Sequence, residues 1–123
     1  MTQTYMDRAA TAAFLKMLTL DGREIVYRDG KTGNTLKITV LVDELTPEAR
    51  DFLKVSAERN VLQITALASA LRLNETATSL PRRGDSVEFR GQTWGLIPGG
   101  NRRFYDYEES GGVTVTFYAQ AES

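Results

Sequence analysis

The chain has 123 residues, 41% of them hydrophobic, and a formal net charge of −1. This length and composition fit one ordinary globular domain over residues 1–123, and the balanced charge gives no overall attraction to nucleic acid or membranes. The absence of cysteine and histidine excludes disulfides, thiolate zinc sites and the Ser-His-Asp and Cys-His catalytic arrangements.

Two further function classes are not expected. No carboxylate pair or lysine indicates catalysis, so we expect a protein that is not an enzyme and holds neither cofactor nor metal. No apolar run approaches the roughly 18 to 20 residues that span a bilayer. Residues 1–8 lack the basic and apolar stretches of a signal peptide. We therefore expect synthesis in the cytoplasm and no membrane partner.

The first predicted element is an amphipathic helix over residues 1–20. Its apolar side chains recur at three- and four-residue intervals and form one stripe: Met6, Ala10, Ala13, Phe14, Met17 and Leu18. Thr4 is suited to cap the start, and Asp21-Gly22 ends the helix. Such a helix either packs on a sheet or docks on a neighbouring subunit.

A hairpin and a long connection follow. Residues 24–28 are rich in β-formers, residues 29–34 in turn-formers, and residues 35–42 alternate between apolar and polar side chains. The connection over residues 43–60 contains a helix start at Thr46-Pro47-Glu48, which predicts one or two helical turns. Connections of this length are usually functional or mobile.

The second half of the chain predicts the remaining strands. Residues 61–67 form a third strand, and residues 81–96 read as a turn followed by a hairpin. Gly91 is suited to the first central position of a type II′ turn in that hairpin. Inward-facing pairs are predicted on its two strands: Val87 with Phe89, and Trp94 with Leu96.

A glycine-bracketed loop over residues 98–112 precedes the last strand, over residues 113–119. In that strand one face carries Val113, Val115 and Phe117, and the other carries Thr114, Thr116 and Tyr118. Six short alternating strands and one helix predict a mainly β protein. We expect a small antiparallel β-barrel or sandwich over residues 22–120, with the N-terminal helix and a part-helical connection.

Two arginine pairs flank the last hairpin region and are predicted to converge in space. With the neighbouring aromatic residues they form a candidate interface, whose members are Arg82, Arg83, Arg102, Arg103, Tyr105 and Tyr107. Basic and aromatic side chains together are typical of single-stranded nucleic-acid binding. Asp106, Glu108 and Glu109 would repel phosphate, which favours a protein interface. A plain solvated loop is the third interpretation.

A second group of charged residues lies in the connection. Its acidic members are Asp43, Glu44, Glu48 and Asp51. Their spacing does not match a calcium-binding loop, so a solvated acidic surface is the simpler interpretation.

The order of elements around P-x-x-G-D-x-V-x-x-x-G-x-x-W resembles the head–tail joining proteins of tailed bacteriophages, also called head-closure or stopper proteins. The matching residues are Pro81, Gly84, Asp85, Val87, Gly91 and Trp94. The resemblance extends over residues 22–120. It implies a structural neck protein of the virion, made in the bacterial host cytoplasm and assembled with itself in a ring.

The same resemblance implies the partners. A portal or adaptor protein would bind one side of the ring and a tail protein the other, while packaged double-stranded DNA passes through without sequence-specific contact. The connection would then face the channel, where Asp43, Glu44, Glu48 and Asp51 would let DNA slide because like charges avoid tight phosphate contacts. The alternatives are a tail-completion or other assembly protein and, in another class, a small nucleic-acid-binding β-barrel.

Overall fold

A computed structural model of the chain describes residues 5–45, 60–71, 81–99, 102–107 and 114–122. The protein is mainly β, as predicted. Six strands form a closed antiparallel barrel, to which one further short strand and an N-terminal helix are added. No helix among the described residues is both long enough and apolar enough to cross a lipid bilayer.

The N-terminal helix precedes the seven strands in the chain. The elements are α1 (Tyr5–Asp21), β1 (Arg23–Arg28), β2 (Thr35–Glu44), β3 (Val61–Leu67), β4 (Ser86–Phe89), β5 (Gln92–Ile97), β6 (Asp106–Tyr107) and β7 (Thr114–Ala121). One short 3-10 turn over Ala68–Ala70 follows β3.

The barrel consists of two three-stranded antiparallel units, β1-β2-β3 and β4-β5-β7. They join along both edges, because β1 pairs with β4 and β3 pairs with β7. The ten-residue strand β2 pairs with two strands: its first part pairs with β1, and its last four residues pair with β3. On its other edge β7 pairs with β5 through its second half and with β6 through Val115 and Thr116.

The inward faces of the strands fill the barrel, and the predicted faces around the last hairpin are confirmed. The buried core contains Ile25, Tyr27, Ile38, Val40, Leu62, Ile64, Ala66, Leu71, Val87, Phe89, Trp94, Leu96, Val115, Phe117 and Ala119. The rings of Tyr27 and Phe117 meet edge to face with centroids 6.0 Å apart. Full burial of one such aliphatic or aromatic side chain contributes roughly 1.5–3 kcal/mol.

Helix α1 packs on β2 outside this core. Phe14 is buried and Leu18 is half-buried, but Met17 is 50% exposed and Leu20 is 75% exposed. The predicted stripe was therefore too wide, because a single strand covers only the narrow face that carries Phe14 and Leu18. Ala13 is also exposed. The side chains of Met6 and Ala10 lie outside the described part.

Two details of the strands differ from prediction: β2 extends to Glu44, and the short strand β6 forms within the predicted loop over residues 98–112. Asp43 and Glu44 belong to β2, not to the connection, because they pair with Gln63 and Leu62 of β3 and keep their side chains exposed on the strand. The predicted helical turns that begin at Thr46 lie outside the described residues, as do Glu48, Asp51 and Val113.

The hairpin between β4 and β5 has a different turn from the one predicted. Phe89 pairs with Gln92, so Arg90 and Gly91 are the two central residues, with φ angles of 54° and 73°. Positive φ at both positions defines a type I′ turn, whose twist matches that of the strands. Gly91 thus occupies the second central position, and Arg90 adopts a left-handed conformation.

Candidate protein interface

Asp85 is a buried carboxylate that connects the loop before β4 to the turn between β1 and β2. Its Oδ2 accepts hydrogen bonds from the Tyr27 hydroxyl and, at 3.3 Å, from the backbone N–H of Arg82. Its Oδ1 accepts one from the backbone N–H of Gly30 at 2.9 Å. Three donors from two chain segments thus meet on one carboxylate, which is only 3% exposed.

Asp29 completes this arrangement from the other side. Its Oδ1 accepts hydrogen bonds from the backbone N–H groups of Lys31 at 2.7 Å and Thr32 at 3.2 Å. Its Oδ2 accepts one from Nη2 of Arg82 at 2.7 Å, which is also a salt bridge. The backbone N–H of Lys31 is the main cause that lowers the pKa of Asp29 below its ordinary value, and the Arg82 guanidinium adds to it.

Tyr27, Asp29, Gly30, Arg82 and Asp85 are called the clasp from here on. The two turns touch so closely that a Cβ at Gly30 would lie 2.1 Å from the carbonyl oxygen of Gly84. Burial, with the Asp85 hydrogen bond, raises the pKa of Tyr27 well above 10.0, so its hydroxyl stays protonated and donates. Among the described residues, every buried side-chain nitrogen or oxygen has a hydrogen-bond partner.

The clasp gives Arg82 a structural role that the sequence did not predict. Its guanidinium binds Asp29, yet its side chain is still 50% exposed. The next residue, Arg83, lies on the surface. The Arg83 guanidinium carbon is 5.7 Å from the ring centroid of Phe104, within the range of a cation–π contact.

The segment over residues 102–107 starts with a tight turn. The N–H of Arg102 bonds to the carbonyl of Gly99 at 2.9 Å, and the N–H of Gly99 bonds to the carbonyl of Arg103 at 2.7 Å. Arg102 has a φ of 68° and is exposed, as is Arg103. This turn presents both arginines to solvent at the start of the segment that ends in β6.

The aromatic residues that follow have both packed and exposed parts. Phe104 and Tyr105 are half-buried against the core, whereas Tyr107 on β6 is 49% exposed. The rings of Tyr105 and Tyr107 meet edge to face at 5.7 Å. The structure thus brings Arg83 next to the segment of the second arginine pair. The arginine–tyrosine surface is defined as Arg83, Arg102, Arg103, Phe104, Tyr105 and Tyr107.

Arginine and tyrosine are the side chains that most often dominate protein–protein binding energy. On this surface the aromatic rings are anchored on one side and exposed on the other, so little rotational freedom is lost on contact. Asp106 lies within the same segment and is exposed, so both charge signs are present. Both properties favour protein contact over phosphate binding.

Two of the predicted acidic residues lie elsewhere on the molecule. Asp43 lines a shallow groove of about 390 Å³ between α1 and β2, and Glu44 follows it on β2. The arginine–tyrosine surface is separated from Asp43 by the strands β3 and β7. No group of three or more acidic residues placed to hold a metal ion occurs among the described residues.

The sequence did not predict the clasp or the groove. The turn signals Asp29-Gly30 and Gly84-Asp85 were visible, but a turn signal does not show that two turns, 55 residues apart, share one carboxylate. The groove depends on which helix side chains β2 leaves uncovered, and periodicity alone does not give that.

No protein-family model matches this chain, and neither the curated proteins nor the solved structures contain a match to it.

Proposed function

We propose that the protein is a structural subunit of a ring at the neck of a tailed bacteriophage. It binds between a portal or adaptor protein and a tail protein, and it helps to retain the packaged DNA. It acts as a mechanical joint and carries out no chemistry. The observation that carries this proposal is the arginine–tyrosine surface, which the clasp and the barrel hold ready for contact with another protein.

The P-x-x-G-D-x-V-x-x-x-G-x-x-W run supports the proposal through the fold. Asp85 accepts the hydrogen bonds of the clasp, Gly84 and Gly91 have φ angles of 92° and 73°, and Val87 and Trp94 are buried. These residues build the turns and the core of the barrel. The run therefore accounts for a rigid barrel, and the exposed side chains beside it account for binding.

The position of the acidic strand end is compatible with a lumen role. Asp43 and Glu44 are exposed where β2 leads into the connection. In the proposed ring this connection faces the channel, and the exposed Glu44 carboxylate at its start keeps DNA from adhering because it repels phosphate.

A phage that lacks the gene tests the neck assignment. Electron microscopy of freshly filled heads is expected to show full heads without attached tails, and the same heads should lose their DNA during storage. A complementing variant with Arg83→Ala and Tyr107→Ala is expected to reduce infectivity, whereas Lys37→Ala, at another exposed position, should not. Normal tails on heads that lack the protein would contradict the proposal. Heads with attached tails of altered ends would instead support a tail-completion role.

A second candidate function, in another class, is a small barrel that binds single-stranded nucleic acid. The observation that favours it is the Arg83–Phe104 contact beside the exposed Arg102, Arg103 and Tyr107, since stacking rings and cations are what such ligands use. Short DNA oligonucleotides would then bind with a strong salt dependence, and the Arg102→Ala, Arg103→Ala variant would weaken binding uniformly across sequences. Absence of salt-dependent binding would exclude this candidate.

A further inference from the structure

The groove between α1 and β2 is lined by apolar and charged side chains. Met17, Leu41 and Val42 supply the apolar part, and Asp21, Arg23 and Asp43 supply the charges. Asp21 and Asp43 form no salt bridge with another described residue. The groove lining thus carries two negative charges against one positive charge.

The helix extends this groove with apolar side chains that the barrel does not cover. Ala13, Met17 and Leu20 are spaced at four and three residues and therefore lie on one side of α1. All three are exposed, with Met17 at 50% and Leu20 at 75%. An apolar stripe that continues into a groove is typical of a surface that another protein covers.

The arginine–tyrosine surface of the same chain is complementary to this groove. It offers an exposed tyrosine ring, Tyr107, for the apolar side chains of the groove, among which the Met17 thioether provides a favourable sulfur–aromatic partner. It also offers the arginines Arg83 and Arg102 for the carboxylates Asp21 and Asp43. Opposite charges beside an aromatic anchor are the usual composition of a specific interface.

One copy cannot bring its own two surfaces together. Arg23, at the groove, begins β1, whereas Arg28 at the other end of β1 pairs with Ser86, next to the clasp. Five steps of about 3.3 Å separate these ends. Around the barrel, β3 and β7 lie between β2 and β6, which makes three strand spacings of about 4.8 Å each. The complementary surface must therefore come from another molecule.

We propose that the arginine–tyrosine surface of one copy of this chain docks in the α1–β2 groove of a second copy. The contact is head-to-tail, because two different surfaces meet and each copy keeps one of each free. Contacts of this type close into rings or continue as open filaments. This inference rests on the proposed ring and specifies which two surfaces hold neighbouring subunits together.

Charge reversal and mixing test the proposal. The Asp43→Arg chain keeps its arginine–tyrosine surface but loses its groove, and the Arg83→Glu, Tyr107→Ala chain keeps only its groove. All three side chains are exposed, so both chains should fold, which circular dichroism verifies. In sedimentation velocity the unaltered chain is expected to form oligomers whose size increases with concentration. The affinity of each variant for itself should be at least about tenfold lower than that of the unaltered chain, as for loss of an interface anchor.

The mixture of the two variants gives the sharpest result. One intact groove then meets one intact arginine–tyrosine surface, so a one-to-one heterodimer and no larger species is expected. Lys37→Glu, an exposed charge reversal on β2 outside the groove, serves as the control and should associate like the unaltered chain. A monomeric unaltered chain at all concentrations, variants that associate normally, or a mixture that stays monomeric would each overturn the inference.

Failure of this inference and failure of the proposed function give different results. If the purified chain is monomeric but heads that lack it carry no tails, the neck function stands and the docking inference is wrong. If the heterodimer forms but those heads carry normal tails, the docking inference stands and the neck function is wrong.

Discussion

Replacement of the buried Asp85 by asparagine should destabilise the protein by about 2–4 kcal/mol. The carboxylate accepts hydrogen bonds from the Tyr27 hydroxyl and from the N–H groups of Gly30 and Arg82. An asparagine side chain keeps one acceptor oxygen and points its NH₂ group at a donor. At least one buried donor then lacks a partner, at a cost of about 1–3 kcal/mol, and the other bonds lose their charge assistance.

The assay uses the single tryptophan of the chain. Trp94 is 5% exposed, and its Nε1 donates to the Phe89 carbonyl at 3.3 Å, so its fluorescence should change on unfolding. Urea titrations of the unaltered and Asp85→Asn proteins then give the difference in unfolding free energy. A loss of this size is a large part of the roughly 5–15 kcal/mol that stabilises a typical domain.

Glu88→Gln is the matched control, since it also neutralises one carboxylate. Glu88 is half-exposed and lies 3.6 Å from Nη2 of Arg28, so its loss should cost less than about 1 kcal/mol. If Asp85→Asn and Glu88→Gln agree within about 0.5 kcal/mol, a typical change for a surface substitution, the clasp is not a main source of stability and the reasoning is refuted.

Three further predictions concern turns of the barrel. Folding lowers the pKa of Asp29, so its contribution to stability is complete above the ordinary value of 3.8 and is lost as the pH falls through the lower folded value. Urea titrations at several acid pH values should therefore show that the unfolding free energy of Asp29→Asn falls less with decreasing pH than that of the unaltered protein. An equal fall in both proteins would contradict this. Gly30→Ala should cost more than about 3 kcal/mol, because the methyl group would meet the Gly84 carbonyl oxygen at 2.1 Å. Its control, Gly33→Ala, meets open space and should cost only the left-handed strain of about 1–2 kcal/mol, so equal losses would argue against a backbone clash. Arg90→Asn should raise the free energy of unfolding by about 0.5 kcal/mol, and with it the urea midpoint. Asparagine tolerates positive φ better than arginine, and this gain exceeds the lost contact over the Phe89 ring. A lower midpoint would show that the ring contact dominates.

The strands of the β4–β5 hairpin were predictable because each buries one face, whereas β7 buries Thr114 and Thr116 of its predicted polar face as well. Alternation placed Val87 and Phe89 inside, and likewise Trp94 and Leu96. The turn between β4 and β5 was located correctly but given the wrong type. A glycine indicates that one position has positive φ, but it does not show that its neighbour Arg90 has positive φ as well.

The helix and the candidate interface were less predictable, for a different reason. The spacing of apolar residues identified the apolar side of α1. It did not show how much of that side packs on β2, and Met17 and Leu20 are left exposed. The arginine pairs were visible in the sequence. That Arg82 binds Asp29 while Arg83 reaches Phe104 depends on contacts between segments distant in sequence. Local pattern contains no information on such contacts.

The pairing of β7 with β3 and β5 has a consequence for how copies of the chain come to fold in a cell. A nascent polypeptide that a ribosome has extended only through β5 has no partner strand for the edges of β3 and β5 that β7 later occupies. Unpaired strand edges are templates for aggregation. Every copy therefore exposes unpaired strand edges until β7 attaches. The time from synthesis of β5 to attachment of β7 governs how much of the protein aggregates when many copies are made at once.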